Sequence, residues 1–391
     1  MIGELELYKG REQAYVKHFL LGEYLEAWAY KIGSQWNEVA YIDGFSGPWQ
    51  NAGEQFQDTS FGIALATLAK VKARWNELGR SLKMSAYLVE KDPTAYAKLQ
   101  GVSALFPDVQ IKTYQGSFIE LAQTILRDIP RRAFSFLLID PKGWRIEMDR
   151  IAPLVKRPNS EVVFNFMFDF INRFVNVSSP GVAASLDALF LEPGWRQCLR
   201  EPTPQGRAES EHRKIVLIEA FSGTLARIGN YPFVAETTVL RPTVDRPLYS
   251  LIYGTRSPAG LEVFRECQIK ALRKQDKARG VAKLQASVAA SEQAELFESF
   301  AQMAPDPAEA YLAQELINAK ASLLDLVPAG PSIAIWGDIW PRVLGRHIVS
   351  RSQLNAVASD LRKSGHLNFL DWAPRKRSPD DHYRVQRAEQ T

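Results

Sequence analysis

The stretch Val39–Pro48, VAYIDGFSGP, is the part of the sequence from which we predict the fold. An apolar run that ends in Asp43 is followed by a turn containing Gly44 and Gly47. Glycine allows a close backbone approach to a ligand, and a strand ending in an acid before such a turn is typical of nucleotide-binding α/β sheets. The spacing Asp43-x-Phe45-x-Gly47 favours S-adenosylmethionine over a dinucleotide, because the G-x-G-x-x-G pattern is absent. An ordinary strand with a glycine turn is the alternative.

Length and composition indicate a soluble protein of about two domains. Of the 391 residues, 46% are hydrophobic and 24% are charged, as in ordinary globular proteins. Cys198 and Cys267 lie far apart without a histidine at metal-ligand spacing, so neither a disulfide framework nor a metal site is expected. The N-terminal residues do not resemble a signal peptide, and no apolar run approaches the ~18 residues of a membrane span. We therefore expect a cytoplasmic protein that does not enter the membrane.

Two further strands each precede a candidate cofactor residue. Met84–Val89 ends at Glu90, and an acid at the end of the second strand of such a fold binds ribose hydroxyls. Glu90 lies farther from the glycine turn than the ~20 residues of dinucleotide enzymes, and capping of the next helix is the alternative. Val109–Tyr114 precedes Ser117, which is a candidate for the adenine edge and equally an N-cap for a helix over Phe118–Asp128.

The most apolar run, Phe134–Ile139, predicts a central parallel strand buried on both faces. It is followed by Asp140, Pro141 and Trp144, the candidate catalytic residues. A carboxylate and backbone carbonyls there can accept hydrogen bonds from a substrate amine, and an aromatic ring can stack on a planar substrate. Base-methylating sites often carry Asp-Pro-Pro-aromatic here, so Lys142 is a departure. An Asp-Pro turn that only ends a buried strand is the alternative.

The following segments complete the sheet. Glu161–Phe168 predicts a fifth strand, in which Asn165 needs a hydrogen-bond partner if it is buried. A mostly helical stretch, Ile171–Phe221, is too long for a simple crossover and predicts an insertion over the ligand edge. Phe233–Leu240 and Leu248–Thr255 match the antiparallel pair that closes a methyltransferase-type sheet. The fold class is therefore α/β.

The C-terminal residues show a different pattern. Leu261–Met303 predicts a helix whose basic stripe is a solvated face, and a Pro-rich break follows it. Three helices and a β-hairpin then predict a winged helix-turn-helix arrangement. Its helices are predicted at Leu312–Asp325, Ile335–Leu344 and Gln353–Ser364, and its strands at His366–Leu370 and His382–Val385.

Positive charge is concentrated at this end of the chain. Residues 342–391 contain ten Lys and Arg against five acids, so a polyanion is the expected partner. In nucleic-acid-binding winged helices the third helix enters the major groove and a basic wing touches phosphate; a winged helix used for protein contact is the alternative. The candidate nucleic-acid-binding residues are Arg351, Arg362, Lys363, Arg375, Lys376 and Arg377.

Several segments together resemble the three-Cys-motif partner family (TcmP). They are YVKHFLLGEYLEAW (15–28), YIDGFSGP (41–48), LLIDPKGW (137–144) and VFNFMFDFINR (163–173), and residues 335–367 resemble the winged-helix module often fused to that family. The resemblance implies a Rossmann-like class I methyltransferase fold. It also implies a partner, since such proteins are typically encoded beside a three-Cys-motif protein resembling radical-SAM enzymes. Lys142 stands where related members more often carry an aromatic residue.

These observations lead to one architecture and two functional hypotheses. We expect a Rossmann-like methyltransferase domain over residues 1–260 with a helical insertion at about 171–230, a helical linker over 261–310 and a winged helix-turn-helix domain over 311–391. The leading hypothesis is an S-adenosylmethionine-dependent methyltransferase acting on DNA or RNA, with Asp43, Gly44, Phe45 and Gly47 at the methionine end of the cofactor. The alternative is a non-catalytic scaffold that docks a partner enzyme on nucleic acid. A nicotinamide oxidoreductase fits poorly because the glycine pattern is wrong.

Overall fold

The computed structural model describes residues 5–47, 56–290 and 307–388, and the side chains within them except those of 287–290. Pro48 of the glycine turn and most of the loop that follows it lie outside these ranges, as does the end of the helix predicted to reach Met303. All the predicted site residues lie within the described ranges.

The first part of the chain alternates helices and strands. Its elements, after a 3-10 turn at Leu5–Tyr8, are α1 (Glu12–Gly33), β1 (Glu38–Asp43), α2 (Ser60–Glu77), β2 (Lys83–Glu90), α3 (Pro93–Gln100), α4 (Val102–Leu105), β3 (Gln110–Gln115), α5 (Phe118–Asp128), β4 (Phe134–Ile139), α6 (Met148–Val155) and β5 (Ser160–Phe166). There follow α7 (Phe168–Phe174), α8 (Pro180–Phe190), α9 (Trp195–Arg200), α10 (Glu209–Gly229), β6 (Phe233–Leu240), β7 (Pro247–Thr255) and α11 (Pro258–Ala290).

These strands form a seven-stranded sheet in the order β3-β2-β1-β4-β5-β7-β6. The first five strands are parallel, and β7 runs antiparallel to both β5 and β6. This is the strand order of the class I methyltransferase sheet, and the predicted Rossmann-like α/β fold class is confirmed. The strand order reverses between β1 and β4, so the carboxyl ends of these strands border the crevice where such folds bind ligands.

Helices cover both faces of the sheet. Alternate residues of the strands contribute to two hydrophobic clusters, one beneath α1, α2 and α11 and the other beneath α5, α6 and α10. Strand β4, predicted as a central buried strand, is buried from its second residue onward, and all of β5 is buried. The two clusters make the sheet the middle layer of a three-layer domain.

The predicted helical insertion corresponds to α7–α10, which lie between β5 and β6 in the chain. The boundary predicted at Phe168 was wrong, because β5 ends at Phe166 and Phe168 begins α7. The aromatic run Phe164–Phe170 keeps the hydrophobicity of a strand across this turn, so the pattern alone does not mark the change. Phe168 is nevertheless buried.

The C-terminal residues form three helices and a small sheet. The elements are α12 (Pro307–Leu326), β8 (Ala334–Ile335), α13 (Trp336–Arg346), α14 (Arg351–Lys363), β9 (Leu367–Phe369) and β10 (Arg384–Arg387), with strand order β8-β10-β9. Ser350 begins α14 with a capping box that includes Gln353. The two-residue strand β8 is too short to be read from the sequence. The winged helix-turn-helix assignment stays a prediction.

The helix α11 packs along α1 and also against the C-terminal helices. The expected solvated basic stripe was wrong for two of its members, since Arg265 and Arg279 are buried. Arg265 donates hydrogen bonds to the carbonyls of Leu344 and Gly345 at the end of α13 (2.7 and 3.3 Å), and burial lowers the pKa of Arg265 to about 10. The first part of the expected linker therefore packs against α13 as part of the folded core. The domain limits at 260 and 310 stay a prediction.

Candidate functional site

Three acids from three neighbouring strands lie at the carboxyl edge of the sheet. Asp43 is the last residue of β1 and Glu90 the last of β2, while Asp140 directly follows β4. Since β1 lies between β2 and β4 in the sheet, the fold brings these predicted residues to one crevice. Ser117 follows β3 one strand farther out.

The side chain of Asp43 is fully buried and holds the turn that follows it. Its carboxylate accepts hydrogen bonds from the Tyr41 hydroxyl (3.0 Å), the Ser60 hydroxyl (2.9 Å) and the Phe45 backbone N–H (3.0 Å). Burial raises the pKa of Asp43 to about 6, against the opposing effect of these three donors, and the nearby Asp140 raises it further. The carboxylate therefore lies behind the ligand edge, where it positions the turn.

Backbone hydrogen bonds fix the same turn to both neighbouring strands. The N–H of Gly44 donates to the Leu138 carbonyl of β4 (3.0 Å), and the N–H of Ser46 donates to the Val89 carbonyl of β2 (2.8 Å). A Cβ at position 44 would lie 2.9 Å from the ring of Phe118, so only glycine allows this ring to pack on the turn. The turn that begins at Gly44 is thus hydrogen-bonded to β4 on one side and to β2 on the other.

Glu90 ends β2 and Ser117 precedes α5, and their ribose and adenine roles stay predictions. Glu90 is 4% exposed, and its Oε1 accepts a hydrogen bond from the Asp92 N–H (2.6 Å). Asp92, not Glu90, caps α3 by accepting from the Ala95 N–H. The Ser117 side chain makes no capping hydrogen bond to α5. Neither Glu90 nor Ser117 therefore acts as the side-chain cap of the helix that follows it.

Asp140 is held by two side chains that the sequence did not connect with it. The ammonium of Lys17, on α1, lies 2.5 Å from Asp140 Oδ2, and the Asn165 amide, on β5, donates to Asp140 Oδ1 at 2.5 Å. Lys17 reads as one polar residue of an amphipathic helix, so nothing in the local pattern indicates an ion pair 123 residues away. Asn165 carried a signal, since a buried amide in an apolar strand needs a partner.

Lys142, which follows Asp140 and Pro141, lies among acidic side chains. Its ammonium lies near Glu90, Asp140 and Asp92; desolvation lowers its pKa, and these three acids oppose the shift. Lys142 also borders an open cleft of about 370 Å³ beside the crevice. The other residues lining this cleft are Phe45, Pro141, Gly143, Trp144, Arg145, Ile146 and Phe170.

Trp144 contributes more to packing than to an exposed stacking surface. It is 6% exposed, its indole N–H donates to the Ser185 hydroxyl (2.9 Å), and its ring packs on Phe174 and Phe170. Phe170, on α7, is 40% exposed. The cleft therefore has an exposed aromatic ring, that of Phe170, which the sequence pattern did not indicate.

The predicted nucleic-acid-binding residues differ in their surroundings. Arg351 pairs with Asp381 and with Glu262 of α11 (3.5 Å), and its guanidinium lies over the Trp340 ring. Arg362 stacks on Trp372 (4.2 Å). These two arginines are used within the fold.

The remaining four lie on the surface. Lys363 pairs with Asp360 (3.2 Å) and Lys376 with Asp380 (2.8 Å). Arg375 and Arg377 are exposed, and their side chains have no polar partner among the described residues. They are the strongest phosphate-binding candidates of the predicted set.

The described residues contain neither a membrane-spanning helix nor a metal-binding cluster. No helix in the described ranges combines the length and apolar character needed to cross a membrane. Nor do the described side chains include a group of three or more His, Cys, Asp or Glu residues placed to hold a metal ion.

Comparison with known proteins gave distant structural similarities. No protein-family model matches the chain, and no curated protein matches it. Among solved structures, it is similar to a Legionella pneumophila protein of the DUF519 family model, with 11% identity over 63% of this chain and 88% of that one and a TM-score of 0.36. It is also similar to a precorrin-6y C5,15-methyltransferase from Geobacter metallireducens, with 11% identity over 59% and 87% of the two chains and a TM-score of 0.24.

The raised pKa of Asp43 predicts a pH-dependent stability. Because the folded-state pKa, about 6, exceeds the unfolded value of about 4, the native state loses stability as the pH rises between these values, by up to ~3 kcal/mol in total. Asp43→Asn should remove most of this slope. Urea unfolding of both proteins between pH 4 and 7 measures it, and equal slopes in the two proteins would contradict the assignment.

Proposed function

We propose that this protein binds S-adenosylmethionine at the carboxyl edge of its sheet and methylates a nucleic acid, working with a three-Cys-motif partner of the radical-SAM-like kind. The observation that carries the proposal is the meeting of Asp43, Glu90 and Asp140 at the ends of three adjacent strands, around a turn whose backbone is already fixed. The resemblance of segments 15–28, 41–48, 137–144 and 163–173 to the three-Cys-motif partner family supports it.

The crevice residues fit such a cofactor. Oε2 of Glu90 accepts no hydrogen bond from a described residue, so it is available to ribose hydroxyls, and the Ser117 hydroxyl is available to the adenine edge. The backbone of Gly44, Phe45 and Gly47 faces the methionine end, while Asp43 keeps that backbone in place. When bound, S-adenosylmethionine supplies an electrophilic methyl group on a cationic sulfonium.

Asp140 orients the acceptor in this proposal. A carboxylate offers about four acceptor positions, and Lys17 and Asn165 use one on each oxygen, so an acceptor amine can still bind. Pro141 and Trp144 form the wall behind it. Methyl transfer is an in-line displacement, and holding the two reactants in line supplies most of the acceleration.

The ion pair between Lys17 and Asp140 also favours a second candidate function. Both Asp140 oxygens are already engaged, at 2.5 Å each, by groups of the protein itself. This is the arrangement expected if Asp140 only stabilises the fold, and the chain serves as a non-catalytic scaffold that brings a partner enzyme to nucleic acid.

Cofactor binding should depend on Glu90 and not on acids elsewhere in the sheet. We expect Glu90→Gln to weaken S-adenosylmethionine and S-adenosylhomocysteine about 10- to 100-fold, because charge-assisted hydrogen bonds to the ribose are worth about 1.5–3 kcal/mol. Isothermal titration calorimetry measures this. Glu38→Gln, at the opposite end of β1, is the matched control. Absence of binding by the unmodified protein would refute the cofactor assignment.

Methyl transfer separates the two candidate functions. With tritiated S-adenosylmethionine, we expect label to enter RNA or DNA, and Asp140→Ala to lower its incorporation by at least ~100-fold, because misplacing a reactant by ~1 Å costs that much. Cofactor affinity measured by calorimetry should stay within a few-fold. If the unmodified protein binds cofactor and nucleic acid yet transfers no label in the presence of the partner, the scaffold function is the correct one.

The predicted wing should contact phosphate through its two unpaired arginines. Replacing Arg375 and Arg377 together by Gln should reduce the slope of log affinity against log salt by about 1.4–1.8, since each phosphate contact contributes about 0.7–0.9. Arg351→Gln should leave the slope unchanged, because that side chain is paired with Asp381 and Glu262. Filter binding from 50 to 200 mM salt, a range suited to such slopes, provides the measurement. An equal change in both variants would mean that the wing is not the contact.

A further inference from the structure

A cluster of three arginines lies at the carboxyl edge of the sheet, on α7 and on the turn between β6 and β7. Asp169, near the start of α7, is ion-paired with Arg173, Arg241 (2.8 Å) and Arg246 (3.1 Å). Burial would raise the pKa of Asp169, but hydrogen bonds from Arg173 and Arg241 overcome this effect and lower it. One carboxylate thus gathers three cations, which leaves an excess of positive charge.

The cluster is held rigidly by the turn between β6 and β7. Within this turn, the Arg241 N–H donates to the Arg246 carbonyl (2.9 Å), so the two arginines are held across from each other. Arg279 of α11 binds the Arg241 carbonyl (2.9 Å) and the Val244 carbonyl (3.1 Å) from behind. The guanidinium groups of Arg173 and Arg246 are nevertheless accessible, with side chains 54% and 55% exposed.

The same helix carries an aromatic face next to the basic one. Asp169 and Arg173 are four residues apart on α7 and therefore lie on one side of the helix. Phe170 and Phe174 have the same spacing, one position later, and form an aromatic stripe beside it. Phe170 borders the cleft that also contains Lys142 and Trp144. A flat, exposed ring thus lies between an arginine cluster and the proposed acceptor position.

The start of α14, the third helix of the predicted winged helix, and this region lie against opposite halves of α11. Arg351, the first residue of α14, pairs with Glu262 near the beginning of α11, whereas Arg279 contacts the β6–β7 turn. Seventeen residues of helix separate Glu262 from Arg279, which corresponds to about 25 Å. A substrate that enters the cleft needs anchoring contacts of its own on this edge.

We propose that α7 and the β6–β7 turn bind single-stranded nucleic acid, with Arg173, Arg241 and Arg246 contacting phosphates and Phe170 stacking on a base at the cleft. Arginine clusters beside accessible aromatic rings are the combination that single strands require, because every base offers a face for stacking and every linkage a phosphate. This inference rests on the proposed function only in placing the acceptor in the cleft; binding itself does not depend on the cofactor.

The test uses the full chain and fluorescein-labelled 12-nucleotide single strands, one RNA and one DNA of the same sequence, with fluorescence anisotropy as the readout. Arg173→Gln with Arg246→Gln removes two cations and leaves Arg241 to neutralise Asp169. We expect an affinity loss of about 10- to 100-fold and a salt slope reduced by about 1.4. Phe170→Leu keeps an apolar side chain of similar size, and the loss of stacking should weaken binding about 5- to 100-fold at unchanged slope.

Matched controls make the outcome decisive. Arg74→Gln removes an equally exposed arginine from α2 and should change affinity less than two-fold. The proposal is overturned if the α7 variants behave like Arg74→Gln, if only the Arg375 and Arg377 variants lose affinity, or if poly-glutamate competes as well as the oligonucleotide. Calorimetry with S-adenosylhomocysteine on the same preparations reports separately on the proposed function, so either can fail while the other stands.

Discussion

Burial of the Asp43 carboxylate is the constraint on which the arrangement of the crevice depends. An isolated carboxylate in a dry interior would be very costly, so the strand end is stable only with its three donors in place. These come from β1 itself, from the turn and from α2. The carboxylate therefore ties together three elements, and the turn also bonds to β2 and β4 through Ser46 and Gly44. A backbone fixed in this way loses little freedom on binding a ligand, which is the general benefit of preorganisation.

The neighbouring strand ends add further negative charge close to Asp43. Asp43, Glu90 and Asp140 carry like charges at one edge, and Asp140 contributes to raising the pKa of Asp43. Two lysines compensate: Lys17 forms a direct ion pair with Asp140, and Lys142 interacts electrostatically with Glu90 and Asp140. A cation at position 142 thus offsets the like charges of Glu90 and Asp140.

Local patterns predicted the seven-stranded sheet well because its strands have local signals in the sequence. Continuous apolar runs marked β1 and β4, and the limits of α5, β4 and β6 agree with prediction. The site could be predicted only where a residue ends a strand, as Asp43, Glu90 and Asp140 do. Lys17 was missed because its partner is distant in sequence, and Phe170 was missed because it lies in an aromatic run that resembles the preceding strand. The burial of Arg265 and Arg279 could not be predicted for the same reason. Arg265 is covered by α13, which comes later in the chain, and Arg279 by the β6–β7 turn, which comes earlier.

Charge counting illustrates why composition locates a binding surface poorly. The C-terminal 50 residues contain the excess of basic residues, yet Arg351 and Arg362 are committed to Asp381 and to aromatic rings within the fold. In contrast, Arg173 lies 68 residues before Arg241 and 73 before Arg246 in the sequence. The three become a cluster only when β6 and β7 place their turn beside α7. A polyanion is attracted by net positive charge, which remains where several cations share one carboxylate and is cancelled where each cation has an acid of its own. On that criterion α7 and the β6–β7 turn, where three arginines share Asp169, are a better electrostatic target for a polyanion than α14, where Arg351 and Arg362 are used within the fold.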